Sequence, residues 1–495
     1  MKKMILLLLL PLTALMAIEF VMTHDGLVDA ENFGTITPTQ PIVTAPAPST
    51  PSTYLETVNI PACDASNPEV HFINNNSDWS KINDSSKRIF CVSPGDYTSL
   101  GNIRITRSGT DAKRRYIVLN NGNDTHPGKL NKNQLANFAL DFNNASFWII
   151  DRASSIDNGA TYAFRLRTGS SNNIFNRIFT NNIITSIAIN ADANDNTIQN
   201  SRFQNMTHSG RIYDNPAISF FEWSADSWSI KNTKIINNEI VNANDGMQIV
   251  LAKKSDGDYQ EGNAEGTIID GNDIYIDSNI YTNGNGKYDP NGSYAYAENA
   301  LDIKAGSTNV SNPMIITNNH FWGFRKADST DSYLSDPGHA FVIHYGIGNT
   351  KFNDNVIFDA PSGIVAADKQ NSKWSMYDGE IKRNIIQDCG STSNYALQIT
   401  ESNNISITDN VIVNARNSYL RLSTNGSGMI VTNNIGINSP DNQVLTNNTG
   451  GIYKDNSNEY TTGEAAGHTN DYTFTTDKYT NNPKVITLPN TVKAK

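Results

Sequence analysis

The chain has 495 residues, 38% of them hydrophobic and 18% charged, with a formal charge of −11. That hydrophobic share excludes a disordered chain, and an acidic balance without a basic stripe argues against a nucleic-acid partner. An anionic ligand stays open, because a local cationic patch or a bound Ca²⁺ holds one regardless of net charge.

Residues 1–22 read as an export signal, with Lys2 and Lys3 ahead of an apolar run from Met4 to Ala17. Leu15 and Ala17 meet the small-x-small cleavage rule only in part. A retained membrane anchor is therefore the alternative, and the expected location is secreted, periplasmic or tethered. Residues 23–58 form a Pro/Thr-rich linker, whose prolines at 38, 41, 46, 48 and 51 disfavour helix and sheet. In the oxidising compartment that export implies, Cys63 and Cys91 are a candidate disulfide and Cys389 is left single. Residues 59–160 are irregular and are expected to supply an N-terminal cap and first coils.

From 161 to 450 the chain repeats. A short strand recurs with two apolar residues one apart: Phe164/Leu166, Ile187/Ile189, Ile218/Phe220, Met247/Ile249, Leu301/Ile303, Phe341/Ile343, Ile364/Ala366, Leu397/Ile399 and Leu420/Leu422. Period two puts each pair on one face of a strand. A second signature follows most of these strands, apolar residues around a polar pair, as in "IINNEIV" (235–241), "IITNNHF" (315–321) and "ISITDNVIV" (405–413). Asparagine suits such a bend because it tolerates left-handed backbone and its amide can bond its equivalent one coil away. Asn384, Asn410 and Asn434 hold equivalent places, about two dozen residues apart. The expected fold is all-β, a right-handed parallel β-helix (solenoid) with an N-terminal cap and loop insertions, followed by a C-terminal extension over 451–495.

Asparagine-rich coils after an export signal, with "NALDIKAGSTN" and "VIHYGIGNTKFNDNVI", resemble the pectate-lyase-like superfamily of right-handed parallel β-helices. The resemblance covers about 160–450 and speaks for fold more than for reaction.

Outward residues form columns. One runs Arg167, Asn190, Phe221, Val250, Lys304, His344, Ala367, Thr400 and Ser423. Its neighbour runs Arg165, Ala188, Ser219, Gln248, Asp302, Val342, Val365, Gln398 and Arg421. Successive coils lie about 4.8 Å apart, so Lys304 and His344 stack with Asp302 beside them. Long insertions flank the same level: 28 positions separate Asp273 from Leu301, and 20 separate Phe321 from Phe341. They carry sugar-binding types, among them Tyr281, Tyr288, Tyr294, Tyr296, Trp322 and Tyr333.

β-Elimination from a polyuronate needs a base for the proton α to the carboxylate and neutralisation of that carboxylate. Lys304 is the candidate base, its pKa expected to fall beside Val250 and a cationic His344. In lyases that this chain resembles, a lysine works beside an arginine or beside Ca²⁺ held by acids. Here His344 stands in the arginine-like place, a departure from the chondroitinase-B-like and alginate-lyase pattern. The resemblance implies His344 as acid or uronate binder, with Tyr345 the alternative acid.

Gln248, His339, Arg167, Trp322 and Tyr296 are candidate substrate contacts, and Asp245, Glu298 and Asp302 a candidate Ca²⁺ set. The acidic loops 255–266 and 282–292 are weaker Ca²⁺ candidates. The expected protein is a monomeric polysaccharide lyase acting on a uronic-acid-containing chain. The rivals are a uronan epimerase, a glycoside hydrolase and a non-catalytic carbohydrate-binding shaft. Hydrolysis needs two carboxylates, and Asp302 is the single acid in the two columns, Asp368 falling just past a later strand.

Overall fold

The computed structural model describes residues 52–119, 139–156, 162–206, 216–221, 229–276, 298–324 and 338–446, apart from single positions and short runs, and short strands up to 487. Residues 1–51, with the export-signal and anchor expectation, lie outside the described residues, as do loop 282–292, Tyr345 and Tyr296. Among the described residues no helix is long and apolar enough to cross a membrane.

Three long parallel sheets of 14, 11 and 12 strands run the length of the fold. The chain visits them in turn, so each strand pairs with its equivalent one coil earlier and later, the pattern of a parallel β-helix. The 12-stranded sheet has the register read from the sequence. Ile187 pairs with Phe164 and Ile218, Met247 with Leu301, and Leu301 with Phe341. These inward residues are fully buried. Behind the strand His339–His344 the rings of Phe341 and Phe352 stack at 4.2 Å and 8°, fixing that strand against the core.

The polar pairs divide their work. The first member takes left-handed backbone, as Asn237 (φ 54°), Asn318 (φ 54°), Asp409 (φ 60°) and Asn433 (φ 58°) do. The second turns inward and joins a ladder: Asn238 Nδ2 donates to Asn272 Oδ1 at 3.0 Å, Asn272 to Asn319 at 2.9 Å, Asn319 to Asn355 at 3.0 Å, Asn384 to Asn410 at 2.9 Å and Asn410 to Asn434 at 2.8 Å. A buried amide at the bend thus satisfies the backbone groups that the turn leaves open.

One feature of the 12-stranded sheet departs from simple alternation. The residue before the first inward position is small and also buried in eight of the nine coils: Ala163, Ser186, Ala217, Gly246, Ala300, Ala340, Gly363 and Ala396, with the bulky Tyr419 in the ninth. Two successive residues therefore face inward and the strand bends. A Cβ on Gly246 would sit 2.4 Å from Ile274 Cγ2, and one on Gly363 2.7 Å from Ile386 Cγ2, so only small residues fit. The bend returns the preceding residue to the outer face.

The 14-stranded sheet begins at Val70–Ile73, beside a 3₁₀ turn Asn76–Lys81 that buries Trp79. Cys63 and Cys91 form a disulfide, and Cys389 is free and buried. The linker does not stay solvent-borne to residue 58. Glu56 N–H donates to Gln199 Oε1 at 2.9 Å, Gln199 Nε2 returns a bond to Glu56 O at 3.0 Å, and Lys234 pairs with the Glu56 carboxylate. At the other end the coils run past residue 450, to Ile452–Lys454 and Ser457–Asn458. Opening the disulfide, which closes a 28-residue separation, is expected to destabilise the cap by about 3 kcal/mol. A Cys63→Ser variant whose urea midpoint matches that of the parent would contradict this.

Candidate active site

The strands Asn299–Ile303 and His339–His344 are neighbours in the 12-stranded sheet, with Asp302 opposite Val342 and Ile303 opposite Ile343. Lys304 N–H donates to Ile249 O at 2.8 Å, which keeps the residue after the strand in the ladder. Its Nζ reaches Asp302 Oδ2 at 2.5 Å, while His344 Nε2 lies 3.5 Å from Asp302 Oδ1. The carboxylate is nearly buried, at 4% side-chain exposure, and the two bases are at 17% and 24%. One acid thus bonds Lys304 through one oxygen and has His344 close to the other, which makes no hydrogen bond among the described residues, in a setting where water screens little.

The bend adds a third outward column, in which Asp245 pairs with Asn299, Asn299 with His339, and His339 with Ser362. Asn299 Nδ2 donates to Asp245 Oδ1 at 3.1 Å. The His339 pKa is pushed down to about 4, first by burial and then by His344 nearby, against the pull of Asp302. Its ring therefore enters the site neutral over the working range.

That shift has a consequence for stability. Below about pH 6.5 the unfolded chain takes a proton that folded His339 refuses until about pH 4, so stability is full above the upper value and falls between them. The loss is on the order of 3 kcal/mol. Urea midpoints between these pH values should fall less steeply for His339→Gln than for the parent. Parallel pH profiles would contradict the assignment.

No family model matches the sequence, and no curated protein does. Solved structures do. A mannuronic acid specific polysaccharide family 6 lyase from human gut microbiota aligns with a TM-score of 0.51 at 13% identity, over 76% of this chain and 83% of that one. Alginate lyase AlyF-OU02, in complex with G6, aligns with a TM-score of 0.50 at 12% identity, over 84% of this chain and 90% of that one. The chain shares the parallel β-helix fold of these two structures. At these identities the likeness is one of fold.

On this β-helix the sequence-derived candidates scatter. Asp302, Lys304 and His344 come together, with His339 beside them and Gln248 opposite Asp302 one coil earlier. Arg167 does not join them. It lies four coils away, roughly 19 Å, bonded through Nε to Asp141 at 2.7 and 3.0 Å. Trp322 does not face the site sheet either. It belongs to the 11-stranded sheet, 7% exposed, with its ring stacked on Tyr275 at 4.2 Å, so neither face is open to a sugar.

Of the expected Ca²⁺ set Asp245, Glu298 and Asp302, Asp245 is in register with Asn299, which follows Glu298 and lies on the strand that carries Asp302. Among the described residues no three His, Cys, Asp or Glu side chains are grouped to hold a metal ion. Asn299 Nδ2 donates to Asp245 Oδ1 and Lys304 Nζ to Asp302 Oδ2, while Asn299 Oδ1 and Asp302 Oδ1 are buried without a hydrogen bond among the described residues. No step below is assigned to Ca²⁺. The Lys304 column also needs correction. A β-bulge after Ile343 pairs His344 with Asp368 and skips Ala367, so an acid occupies the place read as alanine. The insertions 277–297 and 325–337 lie outside the described residues, but in sequence they run directly into the strands that begin at Asn299 and His339.

Proposed function

We propose that the protein is an exported polysaccharide lyase that cleaves a uronic-acid-containing chain by β-elimination at Asp302, Lys304 and His344. The observation that carries the reading is the double contact of Asp302, Lys304 Nζ on one oxygen and His344 on the other. Elimination moves two protons, one off the carbon α to the carboxyl and one onto the leaving oxygen. In this scheme the Lys304 amine takes the first proton and His344 delivers the second to the leaving oxygen. Asp302 positions both and stabilises the cation on whichever carries it. Neutral His339 offers a hydrogen bond without adding charge. The alginate lyases that share the fold make alginate the first polymer to try.

The bulge favours a second reading. With Asp368 in register with His344, a second acid stands two coils from Asp302 and one column over, which supplies the pair of acids that hydrolysis requires. Product mass spectra separate the two. Elimination leaves an unsaturated uronate at the new non-reducing end, whereas hydrolysis leaves a saturated sugar heavier by one water. Saturated products alone would overturn the lyase reading in favour of the hydrolase.

A further inference from the structure

The outer face of the site sheet carries a second charged cluster, at its N-terminal end. Arg104 pairs in register with Asp141, and Asp141 with Arg165. Arg104 Nε lies 3.8 Å from Asp141 Oδ2, and Arg167 Nε is bonded to both Asp141 oxygens. Three guanidiniums thus gather around the Asp141 carboxylate and leave a positive surplus. Arg165 lies over the ring of Tyr162 at 5.5 Å, and its pKa is lowered, by burial first and then by Arg167. Like charges held together at partly buried positions cost stability, and Asp141 offsets only part of that cost. Arg104, at 58% side-chain exposure, keeps the cluster open to solvent.

Arg165 and Asp302 occupy the same outward column, four coils apart, or roughly 19 Å. The positions between them are Ala188, Ser219 and Gln248, short or neutral side chains that leave the column without a like charge to repel an acidic polymer. The two ends differ in charge: the site holds Asp302 and Asp245 beside its bases, while the far end is cationic.

We infer that Arg104, Arg165 and Arg167 form a distal subsite for an anionic sugar, several units along a chain whose reacting sugar lies at Lys304. The inference rests on the proposed site at Asp302 and Lys304 and adds to it a requirement for a polyanion that spans four coils. Guanidinium forks match carboxylate and sulfate geometry. They also act at a distance, raising the encounter rate with a polyanion on a protein that is acidic overall.

Affinity electrophoresis through gels containing alginate, polygalacturonate or heparin, with dextran as the neutral control, tests this without needing turnover. The unmodified protein should be retarded by at least one anionic polymer and not by dextran. Retardation should weaken about 10-fold in Arg104→Gln/Arg165→Gln, a loss near 1.4 kcal/mol, and recover in Arg165→Lys, which keeps the charge. Arg104→Gln alone, at an exposed position, should show part of the loss with an unchanged circular dichroism spectrum. Equal retardation of variant and parent, or no retention on any anionic gel, would overturn the subsite. If the elimination chemistry alone is wrong, the Arg-dependent retardation persists while no unsaturated product forms.

Discussion

Lys304→Ala is expected to lower kcat/KM on the polymeric substrate by about 10²–10⁴-fold, the range that a positioned proton-transfer group supplies. The side chain lies on the outer face and its Nζ meets Asp302 at 2.5 Å, so its loss removes chemistry while the core is untouched. Because it leaves the nearly buried Asp302 carboxylate without its ion pair, stability should fall by roughly 3 kcal/mol, so the variant is assayed under conditions where circular dichroism shows it folded. Asp302→Asn should also lose activity, through both neighbours at once, because an amide holds neither the ammonium nor the imidazolium. The effects of the two substitutions should therefore fall well short of adding. Parent-level turnover by Lys304→Ala would remove it as the base.

The largest stability loss is expected inside the asparagine ladder. Asn319 donates through Nδ2 to Asn355 Oδ1 and Ile269 O, both at 3.0 Å, and its Oδ1 accepts from Asn272 N at 3.0 Å and Asn272 Nδ2 at 2.9 Å. It is fully buried. Asn319→Ala strands several of these groups away from water, at a cost of roughly 3–5 kcal/mol. Its neighbour Asn318, at φ 54°, turns the chain and donates one bond through Nδ2 to Asp270 Oδ1 at 2.8 Å, so Asn318→Gly keeps the turn, loses that single bond and should cost about 1–2 kcal/mol. Urea titrations of the two variants check the contrast. Equal midpoints would mean that the ladder adds no more than the turn.

Much of this was legible because a parallel coil repeats its inward residues at period two. Every inward pair from Phe164/Leu166 to Leu420/Leu422 has the register expected from the sequence. The ladder was legible for the same reason, since Asn384, Asn410 and Asn434 recur at equivalent places and an amide can both donate and accept between coils. The bend was not, although its signal lay in plain view: a small residue precedes the first inward position of every pair up to Leu397/Ile399, and two inward neighbours violate simple alternation. Missing it hid the column that places His339 beside Asp302.

The bulge that substitutes Asp368 for Ala367 leaves no mark in "SGIVAADKQ", because one extra residue in a strand changes register without changing composition. Trp322 misled because an aromatic beside an insertion reads as a sugar platform, whereas its ring is already stacked on Tyr275. The arginine cluster escaped because 59–160 shows no visible period, so the columns were begun at Arg165 and neither Arg104 nor Asp141 was aligned beneath it.

The most direct test of the central claim is to incubate the protein with alginate, polygalacturonate and glycosaminoglycans, with and without added Ca²⁺, and follow the ultraviolet absorbance of unsaturated uronate. The β-elimination reading predicts a rise with at least one polymer that Lys304→Ala abolishes. Release of reducing ends with no rise in absorbance on any of them would contradict it.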